Sequence, residues 1–233
     1  MNHSDKFIDL INKAAGGGSV AQIFNDFLKM AATSLATFDK SDLEVWQKRE
    51  QIFQDTVKHY DAEKQQLFVE MLAELGLALV ETRYRDVLGE SFQKLELNDR
   101  KNGQVFTPHH IGNLMGELSM DKETMQAEIA KNGYVSIVEP CCGSGAIILG
   151  ALNMLEQYGI NPCYQSCVTA YDLDQRCIQM VYIQLSLYGI PAVVLEKDAI
   201  TQKVWSPPFY TVQFKKNRPL TVTKKGKKFY HAK

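Results

Sequence analysis

Carboxylates follow three short apolar runs in the second half of the chain. Glu139, Asp172 and Asp198 each stand at or just after the end of such a run. Because the carboxyl ends of parallel strands meet at one edge of a sheet, these acids are expected to lie together and to accept hydrogen bonds from ribose hydroxyls. Any single one is more simply a helix cap or a turn residue, but the three together favour one nucleoside-shaped ligand.

A glycine-rich turn links the first of these runs to the next helix. Gly143 and Gly145 lie between a predicted strand over 135–139 and a predicted helix over 146–155. Glycines leave room for backbone N–H groups to approach a ligand. The turn lacks the third glycine of a dinucleotide-binding fingerprint and the Lys-Ser/Thr of a phosphate loop. It therefore predicts either a cofactor site of another class or a turn that serves packing alone.

A second motif precedes this region, and the two together resemble a known family. Phe106-Thr107-Pro108, followed by Glu139-Pro140-x-x-Gly143-Ser144-Gly145, resembles the S-adenosylmethionine-dependent adenine-N6 DNA methyltransferases. The similarity is greatest to the modification subunits of type I restriction systems and covers about residues 100 to 210. It implies a Rossmann-like methyltransferase fold, S-adenosyl-L-methionine as cofactor and DNA as partner.

The resemblance also implies a role for each matched residue. The Phe-Thr-Pro turn would pack beside the methionine part of the cofactor, Asp172 would bind the ribose, and Asp198 would meet the adenine amino group. Leu173 and Ala199 would flank the adenine ring. The residues implied to bind the cofactor are Phe106, Thr107, Pro108, Glu139, Pro140, Gly143, Ser144, Gly145, Asp172, Leu173, Asp198 and Ala199. No metal is expected.

The segment that would hold the target base departs from the family pattern. The family places Asn or Asp before Pro-Pro and an aromatic residue, so that polar oxygens accept from N6 and the ring stacks on the extruded base. The nearest match here is Ser206-Pro207-Pro208-Phe209, only 8 residues beyond Asp198. Serine is a weaker acceptor than an amide or a carboxylate. This segment is the candidate catalytic site, with a purely structural turn as the alternative.

Hydrophobic periodicity divides the chain into a helical part and an α/β part. Apolar residues at spacings of three and four predict helices over 20–38, 41–60 and 63–88. After residue 134, apolar runs alternate with helical patterns, which is typical of an α/β doubly wound sheet.

The length of the chain limits the size of that sheet. Only 100 residues run from Tyr134 to the end, so the methyltransferase sheet must be abbreviated. The expected division is a helical domain over 1–100 and a methyltransferase-like domain over 101–233. A linker is expected over 95–103.

Charge is distributed unevenly along the chain. The formal net charge is −1, yet residues 199–233 hold nine Lys and Arg and no acid. This basic segment, with a predicted hairpin over 219–231, is suited to contacts with the phosphates of a nucleic acid. Lysines that only protect an edge strand from aggregation explain the pattern equally well.

Other features of the sequence indicate a reducing compartment and no membrane. The five cysteines are odd in number, and they lack a Cys-x-x-Cys pair, which favours buried thiols in a cytoplasmic protein over a zinc site. No apolar run of about 18 residues predicts a membrane span.

Two functions remain open from the sequence. The first is an enzyme that methylates adenine N6 in DNA, as in restriction-modification systems. The second is a non-catalytic subunit of a modification complex that binds the cofactor or DNA. The cofactor motifs favour the enzyme, whereas Ser206 and the short sheet favour the subunit.

Overall fold

A computed structural model describes residues 2–97 and 106–217 of the chain. The predicted hairpin over 219–231 and most of the basic segment lie outside the described residues, as does the predicted domain boundary at residue 100. Among the described helices, none is both long enough and apolar enough to cross a membrane.

Five helices form the first part of the structure, which we call the helical region. They are α1 (His3–Ala15), α2 (Val20–Leu35), α3 (Leu43–Val57), α4 (Ala62–Glu81) and α5 (Val87–Lys94). Each begins at a polar side chain that accepts a hydrogen bond from a backbone N–H of its first turn, which satisfies one of the unpaired donors there. These caps are Asn2, Ser19, Asp42, Asp61 and Asp86.

One prediction for this region was wrong. The pattern over 63–88 predicts a single helix, but α4 ends at Glu81 and α5 begins at Val87. Tyr84 between them has a φ of 57°, in the left-handed region that interrupts a helix. Its side chain is fully buried, so apolar periodicity continues across a break in the backbone.

Helices alternate with strands in the second part. Before the first strand lie α6 (His109–Ser119) and α7 (Lys122–Asn132). The elements that follow are β1 (Val135–Glu139), α8 (Ala146–Gln157), α9 (Pro162–Gln165), β2 (Ser166–Asp172), α10 (Gln175–Tyr188), β3 (Ala192–Glu196), β4 (Phe209–Tyr210) and α11 (Val212–Asn217).

The strands form one sheet in the order β1-β2-β3-β4. The first three are parallel and β4 runs antiparallel to β3. Parallel neighbours joined through helices, as β1 and β2 are through α8 and β2 and β3 through α10, are the repeating unit of a Rossmann-like fold. The predicted fold class is therefore confirmed, and the sheet of the described residues has four strands, of which β4 has two residues.

The position of each strand in the sheet decides its burial. Strands β2 and β3 have neighbours on both sides, and Val168, Ala170 and Val194 are fully buried. Strand β1 lies at an edge, and its Val138 is 56 % exposed. The prediction that Val138 belongs to a buried strand was wrong, because the apolar run alone does not distinguish an edge strand from a central one.

Helix α10 joins the helical region to the sheet. It packs against α2 on one side and against β2 and β3 on the other. Met180, Val181 and Ile183 on this helix are almost fully buried. One hydrophobic cluster consequently extends from α1 to β3.

Helices α6 and α8 approach each other more closely than helices with larger side chains can. A Cβ atom at Gly116 would lie 2.7 Å from the carbonyl oxygen of Gly150, and Gly112 and Gly150 also face the opposite backbone without room for a side chain. Because α6 follows the Phe-Thr-Pro segment and α8 follows the glycine-rich turn, this contact fixes those two segments relative to each other.

The contact leads to a prediction about stability. Gly116→Ala should lower the free energy of unfolding by about 1–3 kcal/mol, because the added methyl group forces the helix backbones apart. Gly76→Ala in α4 is the matched control, since a Cβ there meets nothing within 4 Å. It should be neutral or stabilising by about 0.5–1 kcal/mol. Urea denaturation of both variants checks the result, and equal effects would contradict the close packing of α6 and α8.

Candidate cofactor and acceptor site

The carboxyl ends of β1 and β2 are joined by backbone hydrogen bonds from the turn that follows β1. We call residues 140–145 the glycine turn. The N–H of Gly143 donates to Oδ2 of Asp172 at 2.8 Å, and the N–H of Cys142 donates to the carbonyl of Tyr171 at 2.8 Å. The turn is thereby held against the end of β2.

The backbone of the glycine turn requires glycine at two positions. Gly143 has a φ of 52° and Gly145 a φ of 105°, both in the region that side chains disfavour. A Cβ at Gly143 would lie 3.4 Å from the ring of Phe106. The Phe-Thr-Pro segment and the glycine turn, which are far apart in sequence, are thus in contact. Thr107 is half-buried beside Phe106, and Pro108 is the N-cap residue of α6.

The acids at this edge keep acceptor capacity for a ligand. Asp172 is partly exposed and accepts a second backbone hydrogen bond through Oδ1, from Asp174 at 2.9 Å. Glu139 is also partly exposed and accepts from the N–H of Cys141 at 3.2 Å. A carboxylate has about four acceptor positions, so both side chains can also accept from hydroxyl groups. The residues present therefore fit the ribose of a nucleoside cofactor.

The remaining cofactor residues of the sequence prediction lie around the same edge. Pro140 is exposed in the glycine turn, and Leu173 is 61 % exposed just after β2. Asp198 and Ala199 lie in the loop after β3, whose start is tied to β2 by a hydrogen bond from Lys197 to Asp172.

Asp198 has a structural role of its own in that loop. Its Oδ1 accepts from the N–H groups of Ile200 and Thr201 at 2.8 and 3.1 Å. Hydrogen bonds from Thr201 hold the pKa of this carboxyl below its usual range, so it is ionised at neutral pH. An ionised acid beside the β3 end is suited to accept from an amino group.

The segment Ser206–Phe209, which we call the proline turn, lies at the same sheet edge. Strand β4 starts at Phe209, which pairs with Val194 in the antiparallel sense. Residues that precede an antiparallel strand lie beside the carboxyl end of its parallel neighbour, here β3. The proline turn is thus two strands away from Asp172. No helix lies between β3 and β4, which agrees with the spacing of only 8 residues between Asp198 and Ser206.

The family model of the N-6 DNA methylases matches residues 84–209, which is more than half of the chain. The chain belongs to the N-6 DNA methylase family. This confirms the resemblance drawn from the two motifs and the S-adenosylmethionine cofactor that it implies.

Two solved structures are similar to this N-6 DNA methylase family member. A protein from Listeria monocytogenes assigned as a class I S-adenosylmethionine-dependent methyltransferase is 17 % identical, with a TM-score of 0.45, over 88 % of this chain and 56 % of that one. A type I restriction-modification methyltransferase subunit from Streptococcus thermophilus is 18 % identical, with a TM-score of 0.34, over 79 % and 36 %. This chain spans about half the length of the first and about a third of the second. No curated protein matches the chain.

Ser144 of the methylase motif is engaged beneath the site. Its side chain is 2 % exposed, and its hydroxyl donates to Oδ2 of Asp86, the cap of α5. Any contact of Ser144 with a cofactor would therefore come from its backbone. Asp86 is a supporting residue that the sequence reasoning missed, because 58 positions separate the two side chains.

Asp86 connects three elements of the fold. Its Oδ1 accepts from the N–H of Gly89 at 2.9 Å and from the amide of Gln184 at 3.1 Å. Gln184 on α10 also donates to the carbonyl of Ser144 at 3.0 Å. Burial raises the pKa of the Asp86 carboxyl, even though its three hydrogen-bond donors oppose the shift. The glycine turn is thus fixed to α5 and α10 through one carboxyl group.

An arginine of the helical region covers the proline turn. Nη2 of Arg49 on α3 donates to the carbonyls of Pro207 and Pro208 at 3.3 and 2.9 Å. Its guanidinium lies 4.2 Å from the centre of the Phe209 ring. Arg49 is 8 % exposed, and burial lowers its pKa. Nothing in the sequence pattern indicated this contact between residues about 160 positions apart.

The ring of Phe209 is enclosed in this arrangement. It is 8 % exposed and packs against Tyr182 of α10 with a centroid distance of 4.7 Å. A cavity of about 720 Å³ lies next to it, bordered by α2, α3, α10 and the proline turn. Ser206, Pro207 and Phe209 of the predicted catalytic segment therefore line this cavity together with residues of the helical region. No residue of the glycine turn lines it.

The buried carboxyl of Asp86 leads to a prediction about stability. Asp86→Ala should lower the free energy of unfolding by about 2–4 kcal/mol, because Ser144 and Gly89 lose a buried acceptor and α5 loses its cap. Asp86→Asn should cost less, because an amide can accept from Gly89 and donate to the Ser144 hydroxyl. Urea denaturation of the three proteins compares them.

The pH dependence has a defined sign. Because the pKa of Asp86 is raised from 3.8, the native state binds the proton more tightly than the unfolded state. Its stabilising contribution is complete below pH 3.8 and is lost as the pH rises through the raised pKa. The free energy of unfolding of Asp86→Asn should therefore increase relative to that of the wild type as the pH rises from about 4 to 8. A constant difference would contradict the assignment.

Proposed function

We propose that this chain is an S-adenosylmethionine-dependent DNA methyltransferase that acts on adenine N6. Membership of the N-6 DNA methylase family supports the reaction. The observation that carries the proposal is the cluster at the sheet edge, where Phe106 covers Gly143 and the N–H of Gly143 binds Asp172. This arrangement leaves carboxylate oxygens and an open backbone turn facing the space beyond β1 and β2.

In this proposal each residue at the edge binds one part of the cofactor. Asp172, assisted by Glu139, accepts from the ribose hydroxyls, and Phe106-Thr107-Pro108 borders the methionine part. Asp198 accepts from the adenine amino group, with Leu173 and Ala199 beside the ring. When bound, the cofactor supplies an electrophilic methyl group on a sulfonium centre.

The acceptor site is proposed at the proline turn. Ser206 and the carbonyl of Pro207 would accept from the N–H bonds of the target amino group, which directs the nitrogen lone pair towards the methyl group. Phe209 would stack on the extruded base. Ser206 and Pro207 would hold the amino group to which the cofactor would supply its methyl group, and the proton lost by the nitrogen would pass to water. Serine cannot stabilise the developing positive charge as a carboxylate does, so transfer should be slow.

The biological setting follows from the same assignment and is also proposed. DNA is the macromolecular substrate, further subunits of a modification complex are the expected protein partners, and a helical domain over 1–100 precedes the methyltransferase-like domain over 101–233. The five cysteines, all within the described residues, form no disulfide, which suits a reducing cytoplasm.

The proposal predicts the effect of a substitution at the cofactor site. Asp172→Ala should weaken S-adenosylmethionine binding by about 10- to 100-fold, because the ribose hydroxyls lose a charged acceptor worth about 1.5–3 kcal/mol. Calorimetry with the cofactor and with its demethylated product measures the loss. Glu123→Ala, on the exposed first turn of α7, is the control and should bind as the wild type does. Absence of binding to the wild-type protein would refute the proposed cofactor site.

A second prediction concerns the acceptor site. Ser206→Asn should raise the rate of methyl transfer on the order of 10², because an amide oxygen is a stronger and longer-reaching acceptor for the amino group. Transfer of a labelled methyl group to unmethylated DNA measures it, with Ser34→Asn on the exposed face of α2 as control. If both variants behave as the wild type, the proline turn is structural and the acceptor site lies elsewhere.

A further inference from the structure

Arg49 makes the contacts that the proposed function assigns to the target base. Its N–H groups are bound to the carbonyls of Pro207 and Pro208, and its planar guanidinium lies over the ring of Phe209. Adenine offers the same two features, an amino group with N–H donors and a flat π system that stacks on an aromatic ring. The two groups therefore compete for one set of partners.

The buried guanidinium is held without an ion pair. Within 2–97 and 106–217 no carboxylate lies within 4.0 Å of Arg49, although Lys29, Lys48 and Lys215 around it are all paired with acids. A charge that is buried without a counter-ion is unfavourable, so the Arg49 contact is one that water or a phosphate group can replace. The phosphates of a bound strand would supply such a counter-ion as soon as the side chain turns outwards.

The cavity beside Arg49 is large enough to receive a base. Its volume of about 720 Å³ lies within the usual range of ligand sites. The walls include Phe209, Pro207 and Ser206 of the proline turn, Arg49 itself and Gln179 of α10. The pocket is thus continuous with the residues that the proposed function uses.

Gln179 is a polar residue of α10 in the wall of this cavity. It is 6 % exposed, and its side-chain amide makes no hydrogen bond to any residue that the structure describes. An amide presents one donor and one acceptor side by side, so it can bind a ligand that offers the complementary pair. The Watson–Crick edge of adenine, with its amino group and N1, offers that pair.

We propose that the cavity bordered by α2, α3, α10 and the proline turn is the pocket for the extruded adenine, with Arg49 as the residue that the base displaces and Gln179 as the residue that contacts the base edge. This pocket rests on the proposed function, because it supposes that DNA adenine is the substrate. It assigns the helical region a part in base recognition.

Displacement of Arg49 has a measurable thermodynamic consequence. When the competent state is only a fraction of the population, the apparent affinity for the base is reduced by that fraction. Removing the competing side chain should therefore strengthen binding of an adenine, even though the loss of a positive charge generally weakens binding of a nucleic acid. The two effects have opposite signs, which makes the result diagnostic.

The test compares two short fluorescent thymine oligonucleotides, one with a single adenine and one with an abasic site at the same position. Fluorescence anisotropy without cofactor gives the ratio of their affinities at one salt concentration. Arg49→Met should raise the preference for adenine about tenfold. Lys58→Met, which removes the same charge from the exposed end of α3, should leave the ratio unchanged.

Gln179 is tested in the Arg49→Met background. Gln179→Leu should lower the preference for adenine about tenfold, since a hydrogen-bonded pair at the base edge is lost. Gln51→Leu on the exposed face of α3 is the matched control and should have no effect. An unchanged preference with Gln179→Leu would refute the role of Gln179.

A structural role for Arg49 gives a different pattern. If Arg49 only locks α3 to the proline turn, Arg49→Met lowers the melting temperature and leaves the adenine preference at the wild-type value, which overturns the proposal. Should Arg49→Met fail to fold, Arg49→Lys keeps the charge but loses the planar fork, and it should still raise the preference by a smaller factor.

The assay also separates this inference from the proposed function. It uses neither cofactor nor methyl transfer. A wild-type protein that methylates DNA while Arg49→Met and Arg49→Lys show no gain in adenine preference would overturn the pocket alone. A gain in adenine preference in a protein that transfers no methyl group would support the pocket and refute the proposed reaction.

Discussion

A single buried carboxyl group holds together the elements on which the candidate site depends. Asp86 begins α5, binds the hydroxyl of Ser144 in the glycine turn and binds the amide of Gln184 on α10. Without it the turn would be held through β1, α8 and its hydrogen bonds to the end of β2, with no side-chain anchor in α5. The helical region is therefore more than an appendage, because the geometry of the cofactor edge is determined jointly by residues from both parts of the chain.

Direction within the sheet explains how two sites come to share one edge. The parallel strands β1, β2 and β3 end at the edge where the glycine turn and the acids lie. The antiparallel β4 begins at that edge, which brings the proline turn there as well. A parallel fourth strand would need a crossover of a dozen or more residues, and the loop after Asp198 is too short to provide one. The antiparallel direction of β4 is compatible with this short connection.

Local patterns in the sequence predicted most of the elements and the meeting of Glu139 and Asp172 at one edge of the sheet. Ser19 and Asp174 cap their helices, and a local pattern can indicate such caps because they depend on residues two or three positions apart. The contacts that close the proline turn were beyond this reasoning. Arg49 is one of several charged residues on an amphipathic helix, and only the packing of α3 against β4 distinguishes it from Lys48 beside it. The exposure of Val138 on the edge strand β1 and the break between α4 and α5 also depend on packing between residues that are far apart in the sequence.

The close contact of α6 and α8 determines the path by which a ligand reaches the cofactor edge. Where two backbones touch through Gly112, Gly116 and Gly150, neither helix can move aside to admit a molecule. The opposite boundary is different. The loop after β3 carries exposed apolar side chains, with Ile200 93 % exposed, and the bridge between Lys197 and Val204 and the hydrogen bonds of Asp198 tie it back on itself. Small molecules should therefore enter and leave on the side of this loop, because the closely packed helices α6 and α8 stay in place.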